Sequence, residues 1–470
     1  MSEKKAINDY PASTDRTKES SKSGEVEVNK TRRDLLITIV LGGAAYVGWR
    51  FGFKRFFGSI RQGSQDATPN TEPEAKSEIS QASEINTAEP YEKWSRNIEL
   101  PTISFDPKAP QLTDKQLRDL LLPEYVDPEK LDDFFKKFDE MLLKIDSRFL
   151  MDRIAHLTFL QTNLAEEYKK LLKPSCSGEC LKEIEERVDN EINCVLLMHG
   201  YWCAPDLKNK NFGPRLYKVK NASPLTFHHS GKSDVIPFII IEETEKFSVR
   251  PERGFTPSWT GAILDKGNYI LVDEYELKFN NGYESLVKKL KQLSGEKPPS
   301  ETDFSAGSLN LLTHHEGMHA FCIRTFGLNP KMTPLKLSES INMGKYTLNL
   351  RNWGPISEIE INELAGHGFG LMHSGAAVHG EATTLILNDV TPGYKLAQKV
   401  LMDEVEVIST SHFPKHLYSK DIYSNPKIQD QVWKIILSLS AEELYRIGER
   451  MAKLAIFFAQ RMGSASSKKL

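Results

Sequence analysis

Apolar residues are spread unevenly along this chain, and their spacing changes period several times. From Asp127 to Lys173 they recur every three or four positions (Leu131, Phe134, Phe135, Phe138, Met141, Leu142, Ile145, Phe149), which is the repeat of an amphipathic helix. Asp127 followed by Pro128 supplies an N-cap and a first helical residue. Leu181–Leu197 reads as a second helix. The middle of the chain is strand-like: Val235–Glu242 is β-branched and apolar, with Pro237 marking an edge or a bulge. Gly261–Leu264 and Tyr269–Asp273 flank Asp265-Lys266-Gly267-Asn268, a pattern that predicts a hairpin. Helical spacing then returns over Leu309–Phe326, Ser357–Gly366, Gly380–Val390, Tyr394–Ser409 and Ser440–Met462. Helices, a few strands and then helices predict an α+β fold.

The first hundred residues follow none of these periods. Residues 1–30 are polar and charged, with too little apolar surface to offset the entropy of ordering, so they are expected to be disordered. Leu35–Trp49 is uncharged, long enough for a signal core and short for a membrane span. It follows Thr31-Arg32-Arg33-Asp34-Leu35-Leu36, which resembles a bacterial twin-arginine export signal with Leu in place of the usual Phe. An ordinary single-pass anchor preceded by a chance Arg pair is the alternative. No Ala-x-Ala follows, so residues 31–58 are expected to act as an uncleaved signal or membrane anchor. Residues 59–109 read as a flexible linker rich in Ser, Glu, Pro and Thr. The folded part is expected to divide into a helical subdomain over 110–230 and a second domain over 231–462, ending in a polar tail at 463–470. It would sit on the extracytoplasmic, periplasmic side of the membrane.

Charge and cysteine content narrow the possibilities. Lys and Arg total 61 against 64 Asp and Glu, which excludes the basic surplus of a chain built to coat nucleic acid. No phosphate-binding glycine motif follows a strand. There are five cysteines. Cys176 with Cys180, and Cys194 with Cys203, are candidate bridges in an exported domain, and Cys322 reads as a buried thiol.

The chemistry lies in His315-Glu316-Gly317-Met318-His319, an H-E-x-x-H sequence. On a helix, residues i and i+4 share a face, so both imidazoles reach one metal ion, and Glu316 stands beside it where a general base belongs. Chance supplies roughly 0.03 such matches in a chain of this make-up, so accident is a poor account of it. Gly317 costs helix propensity and points to close approach by another segment. Six of the twelve histidines (His314, His315, His319, His367, His373, His379) fall within 66 residues.

This motif, downstream of a small set of strands, resembles the zincin metallopeptidases. The resemblance implies Zn²⁺ as cofactor, a peptide or protein as substrate, and hydrolysis by a zinc-activated water with Glu316 as general base. Cys322 and Thr325 stand where the metzincin subgroup has Gly and His, so that subgroup is excluded. The gluzincin subgroup takes its third ligand from a later Glu. Glu363-x-x-Gly366-His367-x-x-Gly370 resembles the gluzincin Glu-x-x-Ala-Asp-x-x-Gly/Ala stretch, with His replacing Asp. Glu363 shares a helical face with Ile356, Ile359 and Gly366, a costly place for a carboxylate unless it is bound. The expected metal ligands are therefore His315, His319 and Glu363. Glu381 is the competing third ligand, and Glu358 or Glu360 the weaker ones, since Ser357 and Glu360 form a capping-box pattern.

His367, His373 and His379 are candidate donors to a tetrahedral oxyanion. The glycines at 366, 368, 370 and 375 suggest a mobile loop over the site. His228-His229 reads as loop without function. Two other functions fit the motif: an anchored, non-catalytic scaffold with a structural or degenerate zinc site, and a metal-dependent hydrolase of non-peptide substrates.

Overall fold

In the computed structural model, residues 89–144, 150–186, 188–204, 215–243, 262–264, 268–273, 281–329, 332–336, 340–350, 353–387, 393–413 and 425–467 are described. They belong to one compact unit, Glu78–Leu470. The signal or anchor segment 31–58, most of the linker and the end of the tail lie outside them. Among the described residues no helix is long and apolar enough to cross a membrane.

The fold is α+β, built as a sheet with helices on both faces. Strand β1 (Thr102–Phe105) precedes helices α1 (Asp114–Leu121), α2 (Leu131–Lys144), α3 (Leu150–Leu171), α4 (Glu179–Glu186) and α5 (Val188–Met198). Strands β2 (Tyr201–Ala204), β3 (Arg215–His229), β4 (Lys232–Glu243), β5 (Ala262–Leu264) and β6 (Tyr269–Asp273) follow. Asp127 accepts from the Glu129 amide and Pro128 opens a short turn into α2, as the sequence predicts.

The sheet runs β1-β3-β4-β6-β5, with β2 beside β1 on the same edge of β3. All neighbours are antiparallel except β4 and β6. The β5–β6 hairpin pairs Leu264 with Tyr269, as expected. Pro237 does not mark an edge, because β4 lies between β3 and β6. It pairs with Pro224, while the β1 ladder stops at Leu225 and the β6 ladder starts at Phe238. Neither proline thus removes a bond to its outer neighbour.

Strand alternation assigns the two faces. Ile239, Ile241, Tyr269 and Leu271 pack with Phe134, Phe138, Leu160 and Leu164 of the first helices. Phe238, Ile270 and Val272 face the later helices. Both faces are buried, so the strands read as continuous apolar runs. The boundary expected between 230 and 231 falls in the turn of the β3–β4 hairpin, where Ser230 and Gly231 take positive φ. One sheet therefore spans both expected parts. The linker also ends earlier than 109. Tyr91, Trp94, Ile98 and Ile103 are core residues, and Trp94 packs 4.9 Å from Phe457. Four apolar side chains in a polar stretch are enough to dock it.

The later helices are α6 (Asn281–Lys289), α7 (Glu301–Phe326), α8 (Glu358–His373), α9 (Val378–Leu387), α10 (Tyr394–Ser409), α11 (Pro426–Leu437) and α12 (Ala441–Ser467), with a β7–β8 hairpin (Ser340–Asn342, Thr347–Asn349) before α8. Glu404 of α10 joins Arg450 of α12 at 2.7 Å and Tyr346 of the hairpin at 3.0 Å. This network ties three elements together.

Cys176 and Cys180 are bonded. Cys194 and Cys203 are buried and not bonded to each other, so the second expected bridge is absent. Asn193, not Cys194, meets that strand, and its amide holds both main-chain groups of Cys203 at 2.9 Å. Cys322 is a free buried thiol, as expected.

Candidate metal centre

Ser300 caps α7 by accepting from the Asp303 amide, and the helix runs unbroken to Phe326. His315 and His319 therefore stand one turn apart on one face. Both are buried, their rings are perpendicular, and their Nε2 atoms are 3.0 Å apart. Gly317 faces the other way: a Cβ there would lie 3.1 Å from Ile103 and 3.3 Å from Leu225. The close approach suggested by this glycine is the contact of α7 with β1 and β3.

α8 crosses α7 and brings the remaining donors. Its capping box is formed between Ser357 and Glu360. Glu360 also accepts from the Trp353 indole at 3.0 Å, so it is occupied at the helix start. Neither Glu358 nor Glu360 belongs to the histidine cluster. The expected mobile loop is overturned, because Gly366, Gly368 and Gly370 lie inside the helix. A Cβ at Gly366 would stand 2.7 Å from His319 Cε1 and 3.0 Å from His315 Nε2. A Cβ at Gly368 would stand 2.6 Å from the Ala452 amide nitrogen of α12. These glycines let three helices touch, and that packing outweighs their poor helix propensity.

The contact delivers Glu363 to the motif. Its Oε2 lies 3.8 Å from His315 Nε2, 3.7 Å from His319 Nε2 and 3.7 Å from His367 Nε2. Glu381, on α9, does not reach the histidine pair of the motif in this way. Its Oε1 is 2.7 Å from His367 Nδ1. Of the competing third ligands, Glu363 groups with His315 and His319, and Glu381 groups with His315 and His367.

Burial dominates the electrostatics. It holds His315 well below the usual imidazole range and His319 down to about 3, with His367 adding to both. Neutral imidazole is the ligand form. Burial pushes Glu363 up to about 7 and Glu316 up to about 8, with the Glu363 carboxylate adding to the latter. A bound cation reverses the cost of these two charges. Such an ion fits the donors. Tetrahedral ligands 2.0–2.1 Å from zinc stand about 3.3 Å from one another, and the separations here bracket that value. Glu363 Oε2 is buried without a hydrogen-bond partner among the described residues, a state that costs about 1–3 kcal/mol or more for a charged group. Buried His and Glu side chains here can thus hold a metal ion.

The other histidines separate clearly. His379 Nε2 donates to the Leu439 carbonyl at 2.9 Å and is engaged there. His373 stacks on His314 at 3.8 Å, and burial lowers both, His373 to about 4. His228 and His229 end strand β3 rather than sit in a loop. Tyr394 is the residue that sequence reasoning missed. Its ring meets His367 edge-on at 4.5 Å. Burial, then the charges of Glu363, Glu381 and Glu316, push its phenol up, so it stays protonated among three acids. Just before it Gly393 takes a φ of 99°, and a Cβ there would run into Ile359 Cγ2 and stand 3.3 Å from Glu363 Cγ, so α10 starts against α8. Compared with family models, with curated proteins and with solved structures, the chain matches none of them.

Proposed function

We propose that the chain is a zinc-dependent metallopeptidase of the gluzincin-like zincin type. The observation that carries this reading is the convergence of His315, His319 and Glu363 from two helices, with Glu316 buried next to them. These three residues would hold the ion, and zinc there supplies Lewis acidity toward a carbonyl oxygen and a lowered pKa for water. Glu316 takes the proton of the attacking water and returns it to the leaving amine. Its elevated pKa suits a group that does both near neutral pH. The Tyr394 hydroxyl donates to the oxygen on which charge develops.

An extended peptide is to be held by main-chain pairing along a sheet edge. β4 and β6 are interior strands, and of the outer strands β1 lies against the motif itself, where Ile103 covers Gly317. The Arg-Arg segment would export or anchor the chain, placing the enzyme at the extracytoplasmic membrane face. The zinc-to-protein ratio of the full chain, purified without chelator, tests the centre. A ratio near one is expected, and a ratio near zero in folded protein refutes the proposal. Glu316→Gln should keep the zinc and abolish peptide hydrolysis. The anchored-scaffold reading draws on His367, a fourth polar donor that could close the site. Stoichiometric zinc with no cleavage of a peptide library would favour it.

A further inference from the structure

H-E-x-x-H and one later Glu supply three donors, and the fold brings a fourth group to the same point. His367 stands one turn after Glu363 on α8. Its ring meets that of His315 edge-to-face at 4.6 Å. Its side chain is 6 % exposed, and Nε2 lies 3.7 Å from Glu363 Oε2. That nitrogen is fully buried and has no hydrogen-bond partner among the described residues. The other ring nitrogen is committed, since Nδ1 lies 2.7 Å from Glu381 Oε1. With Nδ1 engaged by the carboxylate, Nε2 is the atom of His367 left toward the cluster. That nitrogen stands 3.7 Å from the Glu363 oxygen, and the His367 ring meets the His315 ring. Such a cluster is repulsive unless something positive lies between its members.

We infer that His367 is a further ligand of the same metal ion through Nε2, and that Glu381 is the carboxylate that sets its tautomer and aim. This rests on the metal-centre reading above and not on the peptidase reading, since a fourth protein donor leaves an attacking water only a fifth position on the ion. The donor set becomes three imidazoles and Glu363, rather than the two imidazoles and one Glu of the gluzincin pattern. It also gives a definite role to the carboxylate that lost the third-ligand position, since Glu381 becomes a positioning residue. The same atoms could be taken for two sites, because donor atoms of His315, His367 and Glu381 also lie within 4.8 Å of one another. A second ion would have to share His315 with the first. One ion satisfies both Glu363 Oε2 and His367 Nε2, so one ion is assigned.

The test uses the full chain loaded with zinc, and the same chain loaded with Co²⁺ as a spectroscopic probe. X-ray absorption of the wild-type zinc form should show three imidazoles, a result that needs no variant. His367→Gln should weaken zinc at least tenfold in a chelator competition and shift the Co²⁺ visible bands. Glu381→Gln should weaken zinc 10–100-fold, with Glu381→Asp recovering part of the loss. Far-UV circular dichroism of each metal-free variant should match wild type, which separates lost ligation from lost folding. Two imidazoles in the wild type, or a His367→Gln affinity within threefold with an unchanged Co²⁺ spectrum, overturns the inference and leaves the metal centre standing. Two zinc ions per chain overturns the single-ion assignment. A wild-type chain that binds no zinc refutes the metal centre itself, and this inference falls with it.

Discussion

Replacing Gly366 by Ala probes the centre without touching a ligand. The new methyl would stand 2.7 Å from His319 Cε1, 2.9 Å from His319 Nε2 and 3.0 Å from His315 Nε2. Ordinary contact begins at 3.4 Å, so the His319 ring must retreat by about 0.7 Å or the helices must part. Metal sites tolerate deviations of only about 0.2 Å in ligand distance. Structural zinc is worth about 10–16 kcal/mol, so losing one donor of four removes about 2.5–4 kcal/mol, or 10²–10³-fold in affinity. The fold feels two opposed terms. Ala gains about 1 kcal/mol of helix propensity over Gly, and overpacking costs about 1–3 kcal/mol. Metal-free stability should therefore change by no more than about 2 kcal/mol, while zinc affinity collapses. Competition with a chromophoric chelator measures the affinity, and urea unfolding in chelator measures the stability. A Gly366→Ala chain that binds zinc within threefold of wild type would refute the packing argument.

Three further outcomes are expected. Tyr394→Phe should keep one zinc per chain and lower peptide turnover by about 10–10³-fold, as expected for a lost oxyanion donor; unchanged turnover removes Tyr394 from the mechanism. Trp94→Ala should cost about 3–5 kcal/mol in urea unfolding because Trp94 is buried against Phe457, and a chain begun at Pro110 should be less stable still; a neutral result would return this segment to the linker. The metal-free protein should be most stable near pH 6.5, an optimum set by opposed protonation shifts. Glu363 and Glu316 titrate at about 7 and about 8 when folded, against 4.5 unfolded, so their contribution grows as pH falls from 8. The histidines run the other way. His319 is held at about 3 and His373 at about 4, with His314 and His315 also lowered, so below about 6.5 the unfolded chain takes up more protons and stability falls, by about 1.4 kcal/mol per pH unit for each ring. A urea midpoint that rises steadily from pH 6.5 to 8 contradicts this.

Features decided within one or two helical turns were legible in the sequence. The His315–His319 pair shares a face because any helix places i and i+4 together, whatever surrounds it. The Ser357–Glu360 box and the Asp127 cap are equally local. So is the alternation that makes Ile239 and Ile241 face one layer and Phe238 the other. The α+β class follows from the order of such segments. What packs where did not follow. β1 is four residues long and draws its meaning from pairing with β3, more than a hundred residues later. Gly366 and Gly368 read as a loop because intrinsic propensity argues against a helix, and only the contacts with His319 and Ala452 reverse that judgement. The placement of Glu363, His367, Glu381 and Tyr394 was decided at the same level. They come from three helices, and the sequence carries no term for the distance between helices. The glycine contacts set that distance, and so only the tertiary structure separates the carboxylate that meets His315 and His319 from the one that holds His367 in place.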